Sequence, residues 1–543
     1  MSESQNNLAA TYQKKTDIEH IKDAPDTYIG AVEEDRTTNW SFHGDKIAHR
    51  EYAWIPGLYK CFDEGIVNCR DHAVRLEQKI AKGVKDIRPV TLIDISVDKD
   101  SGVITMLNDG DGIDVEMHPE HKMWIPEMIF GHLRTSTNYQ KTEKKIVGGK
   151  NGFGFKLVLI YSLWGTIETV DHRRGLKYTQ TFRDNLGTIE KPKIRKCTKT
   201  KPYTKVSWLP DYERFGITRL SGDMFDLFKK RTYDIAAITD KKVRVRFNHQ
   251  PLPIRTLEQY INLYIGPKLE TKRVYERGGE RWEYAVCLSP NDEFTHVTFA
   301  NGIYTSKGGR HVDYVLGQIV KGVSGYIEKK KKIKVKPTTI KEQLMLFVNC
   351  VVENPTFDSQ TKDYMNTPIS KFGSRCSVSS KFIERVVKLG VMDAAISLTE
   401  IKDSKAAKKT DGKKTRTIRG IPKLIDANYA GGAKSDQCVL ILCEGDSAKA
   451  GIVSGLSKDD RNYYGVFPLK GKLLNAKDAS QHKLNDNAEI TSIKKILGLE
   501  TNKEYKDPSK IRAMLRYGRI RFMTDQDLDG SHIKGLCINL FHS

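Results

Sequence analysis

The sequence predicts a mixed α/β protein of several domains, and three observations predict it. With 543 residues the chain is too long for one ordinary domain, so two to four are expected. The first third alternates helix-like and strand-like segments, and the pattern changes near Val243. Farther on, residues 401–434 are poor in large apolar side chains and rich in Lys and Arg, the composition of a linker.

In order, Pro56–Ala73 places Leu58, Phe62, Ile66 and Val67 on one helical face. Thr91–Asp98 and Val103–Leu107 read as two strands across a Lys-Asp-Ser-Gly turn. Val243–Phe247, Tyr284–Leu288 and Leu344–Val352 follow as strands, and Phe382–Leu398 as a helix, so a second α/β domain is expected over 246–400. The basic linker 401–434 is expected to be flexible at its start. Cys438–Leu442 then opens a third unit over 435–543, which reaches Ser543 while Ile533–Phe541 is still apolar. No internal repeat is evident.

Lys and Arg outnumber Asp and Glu by 90 to 68, a formal charge of +22, which favours a polyanionic partner such as nucleic acid. The nine cysteines form no CxxC pair, which argues against a zinc site or disulfide framework and for a reducing compartment. The polar start MSESQNNLAATYQKKTD lacks the apolar run of a signal peptide, and no stretch has the length of a membrane span. The expectation is a soluble, intracellular protein with no membrane partner.

Three motifs carry chemistry in the first domain. Glu64 and Asn68 in DEGIVNCRDH share one helical face one turn apart. The carboxylate can polarise a water, and the amide oxygen can ligate a hydrated Mg²⁺ held mainly by phosphates. NDGDGID (108–114) follows a strand; Gly110 and Gly112 permit a tight turn, and Asp109 can accept from an exocyclic amine such as adenine's. GGKNGFGFKL (148–157) sets four glycines before an apolar helical start and offers backbone N–H groups to phosphate, without the Gly-Lys-Ser/Thr of a P-loop. Singly, these read as a solvated face, an Asx-Gly turn and a plain glycine-rich loop.

Together and in this order, they resemble the N-box, the Asp-Gly-x-Gly box and the Gly-rich lid of the GHKL (Bergerat-fold) ATPases. That resemblance implies an α/β sandwich over 1–245 that binds ATP and Mg²⁺. Glu64 would be the general base and Asn68 the metal ligand. Asp109 would read adenine with Asn108 beside it, while Gly149, Lys150, Asn151, Gly152, Phe153, Gly154, Phe155 and Lys156 wrap the triphosphate.

Further stretches resemble eukaryotic-type type II DNA topoisomerases, cellular or viral. YQKKTDIEHIKDAPDTYIG (12–30) is similar to that family's N-terminal strap, whose tyrosine, here Tyr12, reaches the nucleotide of the partner subunit. FGHLRTSTNY (130–139) is similar to FGxLLTSSNY, which implies ribose and phosphate contacts by Ser136, Thr137 and Asn138; Thr at the second Ser keeps the hydroxyl. ENPTFDSQTKDYMNT (353–367) looks like the loop of a transducer domain of the ribosomal-S-five-like type. Gln360, Thr361 and Lys362 would then meet the nucleotide, with Gln360 and Lys362 on the γ-phosphate and Lys362 counted with the catalytic groups. A cation delivered from a second domain would sense that phosphate, and hydrolysis would loosen the contact. Lys329, Lys330, Lys331 and Lys332 read alone as a solvated charged turn; the resemblance implies a loop facing double-stranded DNA.

CEGDSAKAG (443–451) and DQDLDGSHIKG (525–535) resemble the two halves of a Toprim metal site, partial in this chain. Each follows an apolar strand, Val439–Leu442 and Ile520–Met523, which would hold the acids at neighbouring strand ends. On the family pattern Glu444, Asp525 and Asp527 bind Mg²⁺ with Asp529 supporting. An EF-hand reading fails, because position twelve counted from Asp525 is Leu536, which cannot ligate a metal. PLKGKLLN (468–475) fits the same family, with Lys472 and Asn475 as DNA contacts.

The resemblance implies an ATP-dependent type II DNA topoisomerase that dimerises on ATP binding. Cleavage in that family needs a winged-helix tyrosine, and none of the 23 tyrosines sits in such a context. The expectation is a truncated chain or one subunit of a split enzyme, hydrolysing ATP without cutting DNA by itself. It would be nuclear if cellular and eukaryotic, and in the host cell if viral. Two rivals stay open: a non-cleaving GHKL clamp of the mismatch-repair or chaperone kind, and a gyrase-type subunit. A downstream or partner-borne tyrosine discriminates the first.

Overall fold

The computed structural model describes residues 14–135, 145–149, 154–197, 201–290, 293–418, 420–479, 481–501 and 503–543. Tyr12, Ser136, Thr137, Asn138, Lys150, Asn151, Gly152 and Phe153 lie outside them. The chain divides into two compact units, Met1–Asp393 and Ala394–Ser543.

In the first unit, β1 (Asp35–His43) and β2 (Lys46–Trp54) form an antiparallel ribbon. A second sheet contains β3 (Leu92–Val97), β4 (Ile104–Asp109), β5 (Ser162–Asp171), β6 (Leu176–Arg183), β7 (Thr188–Ile189) and β8 (Lys193–Lys196). It is completed by β9 (Tyr203–Pro210), β10 (Arg244–Phe247) and β11 (Gln250–Pro251). Among the described residues this sheet has nine strands in the order β11-β10-β3-β4-β9-β5-β6-β7, with β8 beside β6. β10 runs parallel to β3, and its other pairings are antiparallel.

β3 and β4 alternate buried and half-buried residues, the period-2 pattern of strands with one face on a helical layer. That layer contains the Pro56–Ala81 helix, longer than expected, and the Gly222–Ile238 helix. Proline opens the first where its missing N–H costs nothing. Ser221 caps the second by accepting from the Met224 N–H. Phe62 and Phe228 stack at 4.2 Å between them, a pairing worth about 0.5–1.5 kcal/mol beyond the area buried.

The same unit continues into β12 (Val274–Gly279), β13 (Trp282–Leu288), β14 (Thr295–Ala300), β15 (Ile303–Tyr304), β16 (Gly308–Gly309), β17 (Leu344–Cys350) and β18 (Tyr364–Met365). Five of these make a sheet in the order β12-β13-β17-β14-β15. β14 and β17 are parallel, so the Arg310–Lys331 helix between them is a crossover. One apolar cluster includes Met106 and Trp208 of the nine-stranded sheet together with Phe299 and Phe347 of this one. The two sheets thus share one apolar cluster. The helix expected over 382–398 is interrupted: Ser380–Val386 passes through a wide turn at Val387–Val391, where Gly390 has φ of 102°, before Met392–Thr410 resumes.

In the second unit β19 (Val439–Glu444), β20 (Tyr464–Leu469) and β21 (Arg519–Met523) form a parallel sheet in the order β20-β19-β21. Residues 401–434 depart from the expected linker. The Met392–Thr410 helix runs through their start, and residues from Asp411 onward pack on this unit. Asp411 pairs with Lys494 at 3.0 Å, and Ala427 and Ala430 are buried in its core. Fully buried Arg516 donates to the Thr415 carbonyl and grips Asp426. Ile421, Leu424 and Tyr429 of the same segment lie partly buried against that core.

Candidate active site

The Pro56–Ala81 helix, packed on β4, carries Glu64 and Asn68 one turn apart, beside the start of the Gly154–Ile160 helix. Gly154 lies against both: a Cβ there would stand 2.7 Å from Glu64 Oε2 and 3.8 Å from Asn68 Nδ2. The glycine therefore lets the phosphate-loop segment close onto the carboxylate. Asn68 is half-buried, and its amide oxygen suits a hydrated Mg²⁺ held mainly by phosphates.

Glu64 is buried among cations. Lys60 Nζ, one turn earlier, is 2.7 Å from its Oε1, and Lys362 Nζ is 3.0 Å from the same atom. Burial opposes its ionisation, but Lys362 and Lys60 outweigh that cost and hold its pKa down at about 2. Lys362 arrives from the loop between β17 and β18. β16 and β18 pair in parallel at the base of that loop, and Lys362 takes a left-handed φ of 63°. Such a conformation is uncommon for a residue with a Cβ and needs surrounding structure to hold it. Beside it Gln360 and Thr361 are half-buried, with Thr361 Oγ1 donating to Asp363 at 3.0 Å.

Asp71 was not legible as a site residue. It stands seven positions after Glu64, hence on the same face, and its Oδ2 accepts the N–H groups of Gly148 and Gly149, both at 2.9 Å. It anchors the near end of the glycine-rich loop. Asp63 was missed too; it bonds Arg231 and Lys60, which outweigh the cost of burial and keep its carboxyl below the ordinary range.

Three residues sit differently from expectation. The Asp109 carboxylate is taken by the start of β3: it accepts the Thr91 and Leu92 N–H groups at 2.6 and 2.7 Å and the Thr91 hydroxyl at 2.5 Å. Strand alternation instead puts Asn108 on the buried face with Ile104 and Met106, toward the Pro56–Ala81 helix. Asn108 is thus the better placed of the two for a base. Phe155 is core, edge-on to Phe130 and Trp208. Lys156 is buried, donating to the Thr135 carbonyl at 2.6 Å, and burial lowers its pKa to about 8.

Lys329, Lys330 and Lys331 end the Arg310–Lys331 helix and Lys332 caps it; all four are exposed. Cations there also complement the helix dipole.

In the second unit, Glu444 and Asp525 stand at the ends of the adjacent strands β19 and β21, where the Asp525 N–H donates to Glu444 Oε2 at 3.4 Å. The other two acids are engaged elsewhere. Asp527 caps the Leu528–His542 helix through the Gly530 N–H, and Asp529 pairs with Lys472 at 2.8 Å. Asn475 accepts from the Asn539 side chain. Among the described residues no group of three or more His, Cys, Asp or Glu side chains is gathered to hold a metal. Glu444 with Asp525 fits Mg²⁺, which takes one or two carboxylates and keeps its waters; the four-acid set expected from sequence is not assembled.

Comparison with known proteins agrees with this architecture. The family model for DNA gyrase B matches residues 254–416, and that for the Toprim domain matches 439–542. Over 98% of its length the chain is 44% identical to DNA topoisomerase 2 of Pisum sativum and 45% identical to that of Acanthamoeba polyphaga mimivirus. It spans 36% and 41% of those proteins. The crystal structure of the ATPase region of Saccharomyces cerevisiae topoisomerase II superposes with a TM-score of 0.67 at 37% identity, covering 72% of this chain and 100% of that one. The first unit therefore has the fold of a GHKL ATPase region, joined in one chain to a Toprim domain. The chain belongs to the type II DNA topoisomerases. Among the described residues no helix is long and apolar enough to cross a membrane.

Proposed function

We propose that this chain hydrolyses ATP and uses the cycle to operate a dimerising gate on double-stranded DNA, as part of a type II topoisomerase reaction. The observation that carries the reading is the buried contact between Lys362 and Glu64, which ties the hydrolytic carboxylate to a loop of another sheet. Glu64 is the general base for the attacking water. Asn68 ligates Mg²⁺, which supplies charge neutralisation at the phosphates, and Asn108 contacts the base. Asp71 holds the loop that wraps the triphosphate. Lys362 leaves Glu64 for the γ-phosphate, and that exchange raises the basicity of Glu64 when a substrate is present. Glu444 and Asp525 hold Mg²⁺ for strand cleavage by a tyrosine on another domain, with Lys472 and Asn475 near the DNA backbone.

Tyr12 would complete the nucleotide site of the partner subunit. A non-hydrolysable ATP analogue is therefore expected to convert monomers into dimers, read as a doubling of mass by light scattering. An unchanged mass at analogue concentrations far above its Kd would reject the gate.

DNA binding is expected to be independent of sequence and to weaken with salt, log affinity falling by about 0.9 per phosphate contact for each unit of log salt. Replacing Lys329–Lys332 by alanine should flatten that slope and reduce stimulation of the ATPase by DNA, with basal hydrolysis kept. A slope equal to the parent's would remove these lysines from the DNA path.

A further inference from the structure

Beside the hydrolytic carboxylate, a buried arginine reaches a reverse turn of the five-stranded sheet. β14 and β15 are joined by Asn301–Gly302, whose φ angles of 52° and 82° are both left-handed, the geometry an Asn-Gly hairpin favours. The Gly302 carbonyl accepts from Arg231 Nη2 at 2.7 Å, and Arg231 Nε donates to Asp63 at 2.7 Å. Arg231 is fully buried. Asp63 precedes Glu64, and the two carboxylates share Lys60, which is 3.3 Å from Asp63 and 2.7 Å from Glu64.

The turn also faces the loop anchor. A Cβ on Gly302 would stand 2.6–2.9 Å from the Arg70 side chain, and the Nε and Nη1 of that buried guanidinium have no hydrogen-bond partner among the described residues. Arg70 Nη1 is 3.8 Å from Asp71, which holds Gly148 and Gly149. The Asn301 carbonyl would lie 3.2 Å from a Cβ on Gly148.

We propose that the Asn301–Gly302 turn is a second contact, besides the Lys362 loop, through which the five-stranded sheet sets the geometry of the hydrolytic site, with Arg231 as the positioning residue. This rests on the ATPase reading above. With Arg231 held between the turn and Asp63, the charge of Asp63 is matched and Lys60 stays close to Glu64. If the turn withdraws, Arg231 loses that anchor and swings toward Asp234, 3.8 Å from its Nη1, so Asp63 competes for Lys60 and draws it off Glu64. The base is then misplaced for water attack, while groups that grip the nucleotide are untouched.

The test measures ATP turnover per nucleotide-binding site, with sites counted by a non-hydrolysable analogue, in the parent chain, Arg231→Lys, Gly302→Ala and the double variant. A single ammonium cannot bridge both acceptors, and the added Cβ pushes the turn off Arg70. Each single change is expected to lower turnover per site by about tenfold, because sub-ångström misplacement of a reacting group is costly. In Arg231→Lys, which leaves Arg70 in place, analogue affinity should stay within about threefold, the signature of a group acting in the transition state. Because both changes break one bond, the double variant should lose no more than either alone. Turnover per site within twofold of the parent in both singles, or a loss only in the number of sites, overturns the proposal. Losses that multiply in the double variant also overturn it. Should Arg231→Lys yield no soluble protein, Gly302→Ala alone decides by the same per-site criterion. A parent chain that does not hydrolyse ATP sinks the ATPase reading itself, whereas an active parent with unaffected variants sinks only the turn.

Discussion

Glu64→Gln is expected to lower ATP turnover by about 10²–10⁴-fold, the usual cost of losing a general base, and to leave nucleotide binding in place. Glutamine keeps the shape against Gly154 and an acceptor oxygen for Lys60 and Lys362, so the pocket need not reorganise. It cannot take a proton from water. Single-turnover hydrolysis measured beside analogue binding separates the two effects. Turnover within a few-fold of the parent would take the base assignment away from Glu64.

Lys362→Met should lower turnover by on the order of 10²-fold, comparable to removing one preorganised donor from a developing charge. A second consequence has a fixed sign. The folded pKa of Glu64 is depressed to about 2, with Lys362 the larger of its two cationic causes. In kcat/KM, which reports the free enzyme, activity that needs the carboxylate is kept at neutral pH and lost only as pH falls through that low value. Without Lys362 the pKa rises, so the acid limb of the residual activity should move to higher pH. A pH profile that keeps its acid limb in place would mean that Lys362 does not govern the ionisation of Glu64.

The parts of this site that follow a local period were legible in the sequence. Glu64 and Asn68 are one turn apart on a helix, and the carboxylates of 443–451 and 525–535 do follow neighbouring strands, with Glu444 beside Asp525. Asp71 obeys the same helical period but resembles a residue on a solvated face until Gly148 and Gly149 are brought to it across the chain. Asn108 and Asp109 could be ranked only once the face of β4 under the helix was known, since adjacent strand residues point oppositely. Asp527 carried a readable signal, the aspartate three residues before Gly530 that caps a helix, which a metal-ligand reading overrode. The packing of 411–434 was hidden because alanines, a tyrosine hydroxyl and a buried guanidinium bind that segment, and composition registers none of them as core.

The 26-residue Pro56–Ala81 helix carries Glu64, Asn68 and Asp71 on one face. At 1.5 Å of rise per residue they are spaced over roughly 10 Å of its axis. On the proposed roles, the base, the metal ligand and the loop anchor are graduations on one rod of fixed pitch. Their separations along the axis are a gauge whose scale is set by peptide geometry, not by the loops that meet it.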